Sequence, residues 1–280
     1  MIAQLVSAVV RAILVVIVIS TPSLLLPGST PESAQVAALV ALFGAVFTFS
    51  EYASSYPGLI EFRDAPPFNR VRVICMFLTL FLLSIVMSPG DGVRTLSLIV
   101  NATGLVVAHA IDFPYSPIGL LSTLLSGEVT ANDLTLLRTM GGLSFLVGLV
   151  TLSVFAVLMR VNGWPNRNTS FNVWVNLPTF DPTAGGDVVA RLTRDSRINY
   201  ILGFVLPFLM PVMASLGARH LGVSLTSSPQ TLVWMVTLWS FLPVSLFMRG
   251  MAMARIAAMI VARRKHVVRQ LDPQAGLLPV

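Results

Sequence analysis

Apolar and polar positions along this chain are segregated into blocks. Runs of about 18 or more apolar residues recur, separated by Pro/Gly turns and by two longer polar intervals. The blocks predict helices over about 3–26, 34–51, 72–88, 95–112, 139–160, 198–217 and 231–248, with polar loops at 52–71 and 161–197 and a basic juxtamembrane tail at 249–280. The expected fold class is therefore all-α: one integral membrane domain over 1–280, a polytopic helical bundle of about seven transmembrane helices with short interfacial helices.

The breaks between blocks have their own chemistry. Pro27-Gly28-Ser29-Thr30-Pro31 predicts a tight turn between the first two helices, and Pro89-Gly90-Asp91-Gly92 an antiparallel hairpin between the third and fourth. Residues 118–125 are too few to span a bilayer and 131–138 are mixed in polarity, so both read as interfacial helices. In the second polar interval, Asn172-Val173-Trp174-Val175-Asn176 followed by Pro178, Pro182 and Gly185-Gly186 suggests a small hairpin or extended excursion, then a short helix over 187–197. Asn168-Thr169-Ser170 matches a glycosylation sequon, a pattern that occurs often by chance. Pro207 and Pro211 break the sixth run and Pro243 the seventh, by kinking the helix or by freeing carbonyls for coordination.

Composition sharpens the membrane reading. Hydrophobic residues make up 55% of the chain and charged residues 11%, with a mean hydropathy of +0.82, outside the soluble range. The net charge of +6 comes from eighteen basic residues, all arginine except Lys265. Their clustering in loops and tail reports orientation, so no nucleic-acid partner is expected. The single cysteine, Cys75, excludes an intramolecular disulfide and a cysteine-based metal site. The first apolar run lacks a basic start before Arg11 and reads as a retained helix rather than a cleaved signal.

The arginine-rich tail places the C-terminus in the cytoplasm, and 161–199, two crossings earlier, shares that side. Seven crossings then put the N-terminus and 51–72 outside, against the charge of Arg63, Arg70 and Arg72. An extra crossing at 118–125 would reverse this, but that run has half the needed length.

Two groups of residues stand out. Arg11, Glu51, His109 and Asp112 are expected toward one membrane face as a polar cluster. There Arg11 and Glu51 either pair, or Arg11 snorkels to the headgroups and Glu51 is interfacial. His109 and Asp112 share a helix face and either relay protons or form a hydrogen-bonded helix end beside Pro114. Glu61, Phe62, Arg63, Asp64, Phe68 and Arg70 form a charge-balanced, proline-stiffened loop, read as a cap over the four N-terminal helix ends or as a partner surface. Methionines 248, 251, 253 and 259 offer an adaptable face or ordinary packing. No HExxH, CxxC or nucleophile-elbow motif occurs, so no catalytic, cofactor or metal residue is assigned and no cofactor is expected. The expectation is a non-enzymatic multi-pass inner-membrane protein serving as accessory, scaffold or assembly component of a membrane complex. The alternative is a small-solute or ion transporter using the proline-broken helices, with an intramembrane enzyme third. The expected partners are the lipid bilayer and a membrane protein or a second copy.

Overall fold

The structure, a computed structural model, describes residues 2–27, 30–56, 58–88, 94–125, 130–165, 171–181, 183, 185–226 and 228–271. The turn at 89–92, the sequon at 168–170, Pro57, Pro182 and the tail beyond 271 lie outside the described residues. All regular structure among the described residues is helical.

Helices α1 (Ile2–Leu25) and α2 (Pro31–Ala53) form an antiparallel hairpin. The Thr30 hydroxyl accepts the Ser33 N–H at 3.2 Å, and Pro31 supplies a fixed φ where no N–H is needed. Next come α3 (Phe68–Met87), α4 (Arg94–Ala110) and the single turn α5 (Pro117–Leu121), extended by a 3-10 turn over Ser122–Leu124. A reciprocal capping box between Thr130 and Asp133 starts α6 (Ala131–Val161), so 131–138 is not a separate interfacial helix but the first two turns of one about 46 Å long. Likewise Asp187 caps α8 (Val188–Leu221), making 187–197 the start of a 34-residue helix. Between them the expected excursion at 172–176 is a one-turn helix, α7 (Val173–Asn176). The chain closes with α9 (Pro229–Leu271), 43 residues and about 64 Å, far more than a hydrocarbon core needs.

Six of these helices, α1, α2, α3, α6, α8 and α9, are long and apolar enough to cross a membrane, while α4 has 17 residues. The expected helical membrane bundle is present, with six such helices among the described residues.

Contacts between loops decide the order of passes. Gln4 at the start of α1 donates to the Tyr52 and Ala53 carbonyls at the end of α2. Phe68 at the start of α3 packs edge-on against Phe155 near the end of α6. The 52–71 loop is bonded directly to the segment after α6: Phe62 N–H donates to the Asn176 carbonyl at 2.7 Å, and the Trp164 indole N–H to the Ala65 carbonyl at 3.1 Å. Both polar loops therefore sit at one end of the bundle, and an even number of passes separates them. Helices α3 and α6 are two, which leaves no room for α4 as a third one-way pass. The α5 segment, five residues plus a 3-10 turn, is too short to return the chain. This corrects the expected placement of 51–72 opposite 161–199, and it puts Arg63, Arg70 and Arg72 at the same end as the arginines of the second loop.

Instead of crossing alone, α4 is pressed onto α6. A Cβ built on Gly142 would lie 2.2 Å from the Gly104 carbonyl oxygen, and one on Gly104 would lie 2.5 Å from that of Thr139. Only glycine permits that backbone approach.

At the end remote from the polar loops, Leu80, Leu83, Ile118, Leu121, Met140 and Val236 build one core. The second core, around Phe62, Phe68, Phe155, Trp164, Met248 and Met253, lies beneath the loops. Met248 and Met253 are fully buried there, so they pack the interior rather than an outer face.

Candidate functional site

The densest polar chemistry lies where the loops meet α9. Glu61 is its centre. Its carboxylate accepts two bonds from Arg249, Nε to Oε2 at 2.6 Å and Nη2 to Oε1 at 2.7 Å, and a third from the Thr179 hydroxyl at 2.8 Å. Asn69 Nδ2 holds the Glu61 carbonyl at 2.8 Å. One carboxylate thus joins the first loop, the second loop and α9 in a bidentate arrangement, the strongest form of such a contact. The Glu61 side chain is 11% exposed and that of Arg249 30%, so water screens the pair only in part. Arg249 also donates to Asn199 Oδ1 on α8 at 3.3 Å.

A second guanidinium, Arg72, is near the same carboxylate without bonding it. Its Nε donates to the Ser245 hydroxyl at 3.3 Å, and its charge lies over the rings of Phe68 and Phe241 at 5.5 and 5.7 Å. Glu61 therefore serves two cations.

Around this centre the apolar and backbone contacts are equally interlocked. Phe62 has φ 54°, a left-handed conformation costly for a residue with a Cβ. It is held by its N–H bond to Asn176 and by a ring 1% exposed, 4.4 Å from that of Phe68 and 5.5 Å from that of Trp164. The Asn176 side chain accepts the Asp64 N–H at 3.1 Å, and Arg255 Nε caps the Trp164 carbonyl at 3.1 Å. Farther out, Arg264 Nη1 meets Asp187 Oδ1 at 2.8 Å, tying α9 to the start of α8. That hydrogen bond holds the Asp187 carboxyl below its ordinary value.

Of the residues expected from sequence, the loop set lies at this site and the polar cluster does not assemble. Phe62 and Phe68 are interior, but they turn toward α6, α9 and Trp164, not over the four N-terminal helix ends. Arg63 closes the end of α2, donating to the Glu51 and Ser54 carbonyls at 3.0 and 2.6 Å, and contacts Asp64 at 3.3 Å. Arg70 stays exposed. The Arg11–Glu51 pair is not made. Glu51 instead accepts the N–H groups of Gly58, Leu59 and Ile60 at 2.9 to 3.1 Å, folding the loop back on its own helix. Arg11 bonds the Ser7 carbonyl and hydroxyl and lies 4.4 Å over the Tyr52 ring. Nor do His109 and Asp112 act together. His109 Nδ1 contacts the Leu105 carbonyl, while Asp112 pairs with Arg138 at 3.4 Å, about six turns along α6 from its loop end.

Sequence reasoning missed Trp164, Asn176, Thr179 and Arg249. Only Arg249 carries a signal in the sequence, a cation closing the seventh apolar run at the start of the basic juxtamembrane tail.

The proline-broken helices border a cavity of about 370 Å³ among α6, α8 and α9, near Gly148, Pro207, Pro243 and Phe247. Because Pro211 has no N–H, the Pro207 carbonyl lacks its helical donor. The Trp239 indole supplies one at 2.8 Å, so this carbonyl is engaged. The cavity wall is almost entirely carbon. Among the described residues, no three His, Cys, Asp or Glu side chains come together as a metal site. No family model, curated protein or solved structure matches the chain.

Proposed function

We propose that this protein is a non-enzymatic, six-crossing inner-membrane scaffold: an accessory or assembly component of a membrane complex, with both termini and both polar loops in the cytoplasm. The observation that supports it most is the Glu61–Arg249–Thr179 latch. The polar groups converging at the loop end are directed at one another, which makes that end a rigid platform on the bundle. Charge supports the orientation. Arg63, Arg160, Arg191, Arg255, Arg263 and Lys265 lie at or beyond the latched end, against Arg94, Arg138 and Arg219 at the other. The α1–α2 hairpin and α8 direct Phe43, Leu39, Phe204 and Leu216 outward, surfaces for lipid, a partner's helices or a second copy.

Purification in mild detergent followed by mass measurement of the intact complex tests this reading. A stoichiometric protein partner or homo-oligomer is expected, and a monomer at every detergent and lipid condition overturns it.

A second reading, transport, is favoured by the cavity beside Pro207 and Pro243. Its carbon wall suits an apolar passenger rather than an ion. Counterflow of a radiolabelled apolar solute in proteoliposomes, abolished by Leu152→Trp in the cavity wall, would favour it.

A further inference from the structure

A second cavity, of about 330 Å³, opens at the latched end between the first turns of α1 and the last turn of α2. Its wall is polar: Gln4, Ser7, Arg11, Tyr52, Arg63 and Asp64 contribute. We propose that it binds the phosphate headgroup of an anionic membrane lipid, with Arg11 as the principal cation. The proposal rests on the chain spanning a bilayer with this end cytoplasmic, and not on the scaffold role.

Charge selects an anion. Asp64 touches Arg63, whose guanidinium also closes the end of α2. Among the described residues, Arg11 meets no carboxylate. Glu51, the nearest candidate from sequence, points its oxygens at Gly58, Leu59 and Ile60. The α2 carbonyls that would repel an anion are already engaged, Tyr52, Ala53 and Ser54 by Gln4 and Ser54 also by Arg63. Arg11 is thus a half-buried cation whose contacts are the neutral Ser7 and the face of Tyr52, which leaves further guanidinium donors to a ligand.

Depth selects a lipid over a soluble phosphate. Arg11 lies on an apolar helix beside the last turn of α2, where a bilayer's headgroup region would meet the bundle. Within about two turns of the cavity on the same helices, Val10, Ile13 and Leu14 of α1 and Phe47 of α2 are exposed, apolar surface along which acyl chains can run. Basic pockets at the cytoplasmic ends of transmembrane helices bind anionic headgroups through this combination of charge and apolar flank.

The test uses the purified full chain, titrated in neutral detergent with dioleoylphosphatidylglycerol or dioleoylphosphatidylcholine and read by native mass spectrometry. One phosphatidylglycerol should be retained about tenfold more tightly than phosphatidylcholine, as expected for one charge-assisted contact set. Arg11→Gln should abolish that preference and Arg11→Lys keep part of it, while Arg219→Gln at the opposite end should leave it unchanged. Equal retention of the two lipids by the unmodified chain overturns the proposal, and this comparison decides even if Arg11→Gln does not fold. Displacement of the bound lipid by millimolar inorganic phosphate would assign the cavity to soluble phosphate and overturn the lipid assignment. A preference that survives Arg11→Gln in folded protein would place the lipid elsewhere.

Discussion

Removing Glu61 should destabilise this protein more than removing Arg249, although the two side chains form one pair. In Arg249→Ala, the Glu61 carboxylate keeps the Thr179 hydroxyl at 2.8 Å and the nearby charge of Arg72. In Glu61→Ala, Arg249 and Arg72 lose their shared counter-ion and Thr179 loses its acceptor. Breaking a buried pair by truncating one partner costs about 3–5 kcal/mol. Because Glu61 keeps a hydrogen-bond donor and a nearby cation when Arg249 is removed, Arg249→Ala belongs below that range, at about 2 kcal/mol, while Glu61→Ala, which strands two cations and is eased only by the partial exposure of Arg249, belongs inside it, at about 3–4 kcal/mol. At roughly 2–4 °C per kcal/mol for chains approaching this size, the Tm should fall by about 4–8 °C for Arg249→Ala and 6–16 °C for Glu61→Ala. Thermal scanning in a single detergent measures both. Equal losses, a larger loss for Arg249→Ala, or two variants within a degree of wild type would refute the two-cation account.

Three other perturbations probe separate parts of the fold. Phe62→Ala keeps the left-handed backbone and loses a ring 1% exposed, so it should cost about 3–5 kcal/mol and make the 58–68 segment susceptible to protease in folded protein. Gly142→Leu should separate α4 from α6, lowering folded yield by size-exclusion chromatography, whereas Gly185→Leu, which has open space around it, should not. The Asp187–Arg264 tie responds to pH with a defined sign. The folded carboxyl pKa is depressed, so its stabilisation is present above the ordinary value and lost as pH falls through the lower folded one. Hydrogen exchange at the start of α8 should therefore stay slow through mildly acidic pH and rise only below the ordinary carboxylate range; a rise near neutrality would contradict the assignment.

Much of the bundle was legible because a bilayer demands long apolar helices, and that demand is written locally, residue by residue. The Pro/Gly turns and the Thr30 cap mark helix ends for the same reason. Where α6 begins was legible too, in Thr130-Ala131-Asn132-Asp133, but mixed polarity over 131–138 obscured the capping box. What sequence could not show was which loops meet. The Glu61–Arg249 pair joins residues 188 positions apart, and nothing in either local segment names the other. Pairing by depth suggested Arg11 with Glu51, but short-range backbone donors captured Glu51 first, since Gly58, Leu59 and Ile60 are only seven to nine residues away. Likewise a 17-residue apolar run looks like a crossing by composition, and only the contact between the two loops excludes a third one-way pass between them.

That contact is the central claim, and the side of the membrane on which each loop lies tests it directly. In a Cys75→Ala background, Tyr56→Cys, Gly185→Cys and Val223→Cys can be labelled one at a time with a membrane-impermeant maleimide in intact cells and in inverted vesicles. Residues 56 and 185 should react from the same side, the interior of intact cells, and residue 223 from the opposite side. Labelling of 56 and 185 from opposite sides would separate the loops and contradict the six-crossing, latched arrangement.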